Sequence, residues 1–401
     1  MPCFLIFINW ETIPSFKWFK WEHNIVNVGM LKILTKSNRV LFISLVVSLL
    51  TFCIGMILKR MSTAQLDDFY TNTLYRGFRF IWDHSMGLLP IPIIYLWFLF
   101  IVVGIIRLIY LTVKRRISAI RLLVYLISGL MLHLSWFYIT WGFNYFRSPL
   151  VERLPLNLNI NQHELREAYC EITEKITVLK SNLVNSNSNL EGLSDPDLKR
   201  ILNDQLGLLF NQFKLVDIPN VNCRIIWPGS LLIWASAGVY WPFSGEANID
   251  GGIHRIQVPF TMAHEMCHAK GWTDEGECNF LAYLACDRSK DIEIKYSGNL
   301  AYWRYLNSSM WLLDPEWTSF ELDQLAETIQ SDLKEIRKKM DRYPEVFESL
   351  RLLFYDQYLK VNGIRSGIES YSDLVKWIIS FERDIYCSKA KTNKIKKGLF
   401  Y

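Results

Sequence analysis

His264, Glu265 and His268 form an H-E-x-x-H pattern within Pro259-Phe-Thr-Met-Ala-His-Glu-Met-Cys-His-Ala-Lys-Gly271, and Trp272-Thr-Asp274-Glu275-Gly-Glu277-Cys-Asn279-Phe280 follows at once. On a helix, positions four apart share a face, so the two imidazoles can meet one zinc ion while Glu265 stands beside them as a general base. That is the chemistry of a metallopeptidase, in which zinc activates water for attack on a peptide carbonyl. A pattern this short also arises by chance as a pair of exposed helix histidines, so its surroundings carry the argument.

Those surroundings bound one short helix. Proline is tolerated in a first helical turn and glycine suits the position just past a helix end, which makes 259–271 about three turns long. No flank carries the ~20 apolar residues of a spanning helix, which speaks against a site buried in the bilayer. Catalytic zinc needs a third protein ligand and leaves a fourth position for water. Asp274, Glu275 and Glu277 compete for that place. Asp274 stands where H-E-x-x-H-x-x-G-x-x-H would put its last ligand. Yet Asp274 and Glu277 also have the spacing of a reciprocal helix cap, which favours Glu275 as the ligand. Asn279, one turn after Glu275, would orient a histidine from behind. Cys267, Cys278 and Cys286 read as small core residues.

The elements that must position this stretch begin with a hydrophobic content of 51% in 401 residues, with a mean hydropathy of +0.12, which points to membrane segments. Three are expected: Val40–Leu58, Leu88–Val113 and Leu122 to about Trp141. Lys32, Lys36 and Arg39 precede the first, and Lys114, Arg115, Arg116 and Arg121 separate the second from the third. Basic loops favour the cytoplasm, so everything after residue 142 is expected on the far side, although Lys59, Arg60, Arg76 and Arg79 then lie outside as well. Met30 reads as a natural start, beside the reading of 1–29 as an amphipathic lead. His133, inside the third span, is either a functional group or a histidine bonded to a neighbouring span. The net charge of +5 has no basic block interleaved with aromatics, so nucleic acid is not an expected partner. The eight cysteines form no C-x-x-C pair and no disulfide framework.

From 143 onward the composition is that of one globular domain. Helices are expected at 161–183, 195–213, 299–313, 319–340, 344–360 and 370–383, with a loop between 181 and 194. Short β-type runs at 223–227, 231–234, 238–250 and 253–258 predict a small sheet ahead of the H-E-x-x-H helix. The basic tail after Lys389 is expected to be frayed.

Gly238-Val-Tyr-Trp-Pro-Phe-Ser-Gly-Glu-Ala-Asn248, Val258 through Gly271 and Glu275 through Cys286 together resemble the DUF3810 family of bacterial membrane proteins. Tyr296-Ser-Gly298, Tyr355-Asp-Gln-Tyr-Leu-Lys360 with Ser370-Tyr371, and Trp141-Gly-Phe-Asn-Tyr-Phe-Arg147 fit the same family. The resemblance implies a Bacteroidetes-type bacterium and three N-terminal spans, followed by a zincin-like α+β domain that faces the periplasm. It also implies kinship to gluzincin peptidases, through the same H-E-x-x-H and the E-x-x-x-N of Glu275 and Asn279. Such peptidases usually carry their glutamate ligand further downstream than Glu275 stands here.

The overall expectation is a mainly α protein in the bacterial inner membrane, with zinc as cofactor and a peptide or protein as substrate. In gluzincins a strand edge beside the metal helix pairs with the substrate, and Gly245-Glu-Ala-Asn248 is the stretch placed for it here. Tyr240, Tyr283 and Tyr296 are oxyanion-donor candidates, each also explicable as a packing aromatic. The competing function is a zinc-binding membrane protein without hydrolysis. A transporter component has little support from a single buried histidine.

Overall fold

Three apolar helices open the chain: α1 (Lys36–Leu58), α2 (Ile93–Val113) and α3 (Ala119–Thr140). They are seen in a computed structural model that describes residues 36–154, 156–185, 193–346 and 373–383. Their membrane-length stretches hold 21, 21 and 22 residues, which at about 1.5 Å rise give about 32 Å, enough to cross a hydrocarbon core of about 30 Å. Much of their outer surface is bare apolar side chain, including Leu49, Leu99 and Ile106. A protein of this kind is a membrane protein, with all three spans N-terminal to the H-E-x-x-H stretch. The expected lead with Met30, most of the helix expected at 344–360 and the basic tail lie outside the described residues.

The connector between α1 and α2 is more than a loop. A short helix (Thr63–Leu66), a π-helical stretch (Asp67–Tyr75) and a further helix (Arg76–Asp83) run on without a break. Leu66, Tyr70 and Tyr75 are buried in the same apolar core as the elements that follow α3.

Beyond α3, the helices α4 (Gln162–Asn185) and α5 (Asp195–Gln212) match their amphipathic patterns, and Ser194 caps α5 by accepting the Asp197 N–H. A three-stranded sheet follows, built from β1 (Cys223–Ile226), β2 (Gly238–Trp241) and β3 (Glu246–Asp250). Its order is β1-β3-β2, with β1 parallel and β2 antiparallel to β3. Two of the expected β runs fold otherwise. Leu232–Trp234 is a 3₁₀ turn, because the Asp250 carboxylate gathers the N–H groups of Gly229, Leu231, Leu232 and Gly252 at 2.7 to 3.1 Å and bends the chain around itself. Arg255–Gln257 is another 3₁₀ turn, in which the His254 ring accepts the Ile256 N–H and the Gln257 side chain accepts the His254 N–H.

The helical remainder comprises α6 (Val258–Ala269), α7 (Glu275–Asp287), α8 (Ile292–Leu313), α9 (Pro315–Gln324) and α10 (Glu327–Met340), with residues 373–383 helical as well. α8 starts a full two turns before the expected Asn299, because Asp291 caps it by accepting the Glu293 and Ile294 N–H groups. The single helix expected at 319–340 is two, broken where Leu325 and Ala326 turn extended and Leu325 enters the core.

Candidate functional site

The helix that carries the motif, α6, is buried along almost its whole length. It packs against α5, α7, α8 and the sheet. Its C-terminus is closed by a Schellman motif. Gly271, at φ +87°, lets its own N–H reach the His268 carbonyl at 2.9 Å and the Trp272 N–H reach Cys267 at 3.1 Å. A side chain there would also meet Asn144 Oδ1 at 3.0 Å. The last carbonyls of the helix would otherwise be orphaned in the core. Trp141 Nε1 donates to His268 O at 3.0 Å, the Tyr75 hydroxyl to Ala269 O at 2.7 Å, and Arg147 Nη1 to Gly271 O at 2.9 Å. Arg147 is itself held by Asp67, at 3.1 Å. The residues just after α3 and the α1–α2 connector thus anchor α6 directly, at roughly 1 kcal/mol for each neutral hydrogen bond.

His264, His268 and Glu275 converge. Nε2 of His264 lies 3.0 Å from Glu275 Oε2, Nε2 of His268 lies 3.4 Å from the same oxygen, and the two nitrogens are 3.1 Å apart. A tetrahedral ion with bonds of about 2.0–2.1 Å sets its ligand atoms about 3.3 Å apart, so the three atoms already have the spacing of one face of such a site. Ring chemistry points the same way. His268 Nδ1 faces the Trp272 carbonyl at 2.8 Å, an acceptor only, so that nitrogen carries a hydrogen. A neutral His268 then turns the lone pair of Nε2 toward a carboxylate, an arrangement that calls for a cation between them, either a proton or a metal ion. Burial alone would lower the His268 pKa, but the Glu275 carboxylate outweighs it and holds it at about 9. Burial likewise pushes Glu275 up, and His268 and His264 override it, keeping the carboxyl well below its ordinary range.

The competing carboxylates are occupied elsewhere. Asp274 caps α7 by accepting the Glu277 N–H at 3.0 Å, as the cap spacing predicts. The reciprocal half of that cap is absent, because the Glu277 carboxyl instead accepts the Leu150 N–H at 2.5 Å. Burial raises Glu277 to about 8 and Asp274 to about 6, and neither carboxyl joins the cluster formed by the histidines and Glu275. Among the described residues, His264, His268 and Glu275 are the cluster of side chains positioned to hold a metal.

His268 is oriented by the Trp272 carbonyl. Asn279 lines the same cleft as the histidines and Tyr305 of α8, and its buried Nδ2 has no hydrogen-bond partner among the described residues. Tyr305 lines the same cleft as the histidines, and burial raises its pKa to about 12, so it stays a protonated donor. Nothing local in the sequence marks a tyrosine 30 residues beyond Glu275 as its neighbour. Of the three tyrosines expected as oxyanion donors, Tyr283 is turned to Glu382 and Tyr296 to Asp332. Tyr240 lines the cleft, with its hydroxyl 3.0 Å from that of Tyr75. Cys278 Sγ sits 3.4 Å from His268 Nδ1, on the ring edge opposite Nε2, and Cys267 and Cys286 are core residues. His133 stacks on Phe243 with ring centroids 4.0 Å apart, sealing a junction between α3 and the sheet.

The histidines and Glu265 open onto a cleft of about 340 Å³, lined also by 235–242, Thr261, Thr273, Asn279, Tyr305, Phe137, Trp141 and Tyr145. Burial raises the Glu265 carboxyl above its ordinary pKa, partly countered by His264 and His268. The edge strand beside it is β2; of the stretch 245–248 expected for that role, 246–248 lie in β3, which is paired on both sides. Because Ala237 O accepts from Asp250 and the pairs alternate, Gly238 and Tyr240 turn their backbone groups away from β3. Gly238 has a further reason to be glycine: a Cβ there would lie 2.7 Å from both Cγ and Oε1 of Glu265. Gly238→Ala is therefore expected to displace Glu265 and leave the histidine cluster intact. A displacement of about 1 Å costs on the order of 100-fold in a positioned reaction. Any reaction that uses Glu265 should fall by about that much in this variant, while a metal titration should give the affinity of the natural chain.

A family model described as "Protein of unknown function (DUF3810)" matches residues 70–379. No curated protein and no solved structure gives a significant match.

Proposed function

The chain belongs to the DUF3810 family, and from that premise we propose that it is a membrane-anchored zinc metallopeptidase of gluzincin-like type. The observation that carries this reading is the convergence of His264, His268 and Glu275 at a cleft that Glu265 also lines. The donor set fits zinc, with two imidazole nitrogens and one carboxylate oxygen at tetrahedral spacing. Three protein donors leave a fourth position, whereas structural zinc sites are closed by four, and this favours catalysis over a purely structural metal. Bound zinc supplies a Lewis acid that lowers the pKa of water and polarises a scissile carbonyl.

The chain's own residues do the rest. Glu265 accepts the proton of the attacking water and returns it to the leaving amine, a task suited to a buried carboxylate with a raised pKa. Tyr305, which lines the cleft with Asn279, donates a hydrogen bond to the developing oxyanion. The outward backbone groups of Tyr240 and the outward Gly238 N–H pair with an extended substrate and lay its scissile bond across Glu265, while the Gly238 carbonyl accepts the Ser236 hydroxyl. Basic residues at the start of α1 and between α2 and α3 favour a cytoplasmic position for those segments, and the cleft then falls on the periplasmic face of a bacterial inner membrane. The reading is tested by adding zinc to the purified whole chain and measuring hydrolysis of a mixed peptide library by mass spectrometry. New termini dependent on both zinc and Glu265 are expected; a library left intact by the zinc-loaded protein would overturn the reading.

A further inference from the structure

The hairpin that bears the edge strand does not stand clear of the membrane-spanning helices; it is wedged against their ends. Trp241, the last residue of β2, packs on Phe98, the sixth residue of α2, with ring centroids 5.3 Å apart. Phe243, in the turn, stacks on Trp97 at 4.9 Å and on His133 at 4.0 Å. His133 lies seven residues before the end of α3 at Thr140, or about 10 Å below that end at 1.5 Å per residue. Glu246, the first residue of β3, is buried and accepts the Ile93 N–H at 2.9 Å, capping α2 with a carboxylate where the helix dipole favours one. The hairpin turn therefore reaches below the outer ends of both spans.

The cleft follows the same line. Its wall includes Phe137, in the last turn of α3, and Trp141, the first residue after it. The ring of Trp141 is 6.4 Å from that of His268. β2 thus runs from Gly238, against Glu265, to Trp241, against a spanning helix. The three residue steps from Gly238 to Trp241 cover about 10 Å at roughly 3.3 Å each. An extended chain laid along β2 would have one end at Glu265 and the other at the level of the spans.

We propose that the substrate is a polypeptide anchored in the same bilayer by its own apolar segment, whose first residues outside the membrane pair with β2 and are cut beside Glu265. This rests on the peptidase reading and narrows it to a substrate class. The distances set the register: about three residue steps separate the membrane end of β2 from Glu265, so cuts should fall within about six residues of the substrate's apolar segment. A soluble peptide of the same sequence would have to find the cleft from bulk solution. Confinement to one membrane raises the effective concentration of the anchored one.

The test uses the whole zinc-loaded chain in vesicles of phosphatidylethanolamine and phosphatidylglycerol. It is offered a reporter of 20 apolar residues followed by a randomised tail of 25, and separately the same tail without the apolar segment. Glu265→Gln serves as the activity control, and cut positions are read by mass spectrometry. We expect Glu265-dependent cuts within about six residues of the apolar segment, and at least about tenfold faster cleavage of the anchored tail than of the free one at equal total concentration. Equal rates for the two tails, or cuts spread evenly along the anchored one, would overturn this inference and leave the peptidase standing. No Glu265-dependent cleavage of either tail would refute the peptidase reading itself, and the inference with it.

Discussion

Glu265→Gln is expected to fold, to bind zinc as tightly as the natural chain and to lose hydrolysis by about 10²–10⁴-fold, the usual contribution of a positioned acid–base group. Glutamine fills the same space against Gly238, so the packing that holds α6 beside β2 is preserved. What it loses is the capacity to take a proton. Burial raises the Glu265 carboxyl, which matches a group that must both accept and return a proton near neutrality. A purely structural metal predicts the opposite pattern, with the glutamine variant unimpaired and His264→Ala unable to fold. The measurement is a rate on any peptide the natural chain cuts, paired with a zinc titration. A variant that keeps its rate would remove Glu265 from the chemistry.

The second large effect separates the three carboxylates that follow the motif. Glu275→Gln is expected to weaken zinc binding by at least about 100-fold, because outer-shell partners alone are worth about 10–100-fold and this residue stands in the inner set. Glu277→Gln should change it little. The Glu277 carboxyl, raised to about 8, does not join the cluster formed by the histidines and Glu275, and an amide oxygen can still accept the Leu150 N–H. Asp274→Asn keeps a capping side chain for the Glu277 N–H and should also bind zinc normally. Competition against a chelating dye, run on all three variants, reads the difference. Loss of zinc on Glu277→Gln or Asp274→Asn with retention on Glu275→Gln would reassign the third ligand.

Much of this could be read in the chain itself because it was written in local signals. The spans lie within a few residues of their expected ends, since uninterrupted apolar runs leave little choice. Pro259 and Gly271 delimit α6, each through a backbone property that needs no tertiary partner. The spacing of His264, His268 and Glu275 places two helices whose side chains the structure brings together.

What local signals did not carry is tertiary. Glu246, Asn248 and Asp250 alternate with apolar residues, as a half-exposed edge strand would, yet all three are fully buried at the centre of the sheet. Glu246 caps α2 and pairs with Arg224, and Asp250 holds a turn together; these partners lie about 20 to 150 residues away. The sheet edge beside Glu265 therefore falls on β2, whose run Gly238-Val-Tyr-Trp241 has no polar alternation to announce it. Tyr305 shares the cleft with Asn279 only because α8 packs back across α7. Tyr75, Trp141 and Arg147 sit in segments that read as connectors, and their role is visible only once the carbonyls at the end of α6 are seen to need donors.

That anchoring decides how the central claim should be measured. The fragment 143–401 lacks Tyr75, Asp67 and Trp141, which hold the end of α6 directly or through Arg147, so the whole chain is the proper sample. Elemental analysis of the full-length protein, purified in detergent without chelators and supplied with zinc, should find about one zinc per chain. The same preparation of His264→Ala should hold none above background. A natural chain with no stoichiometric zinc, or one whose zinc survives the loss of His264, would contradict the account.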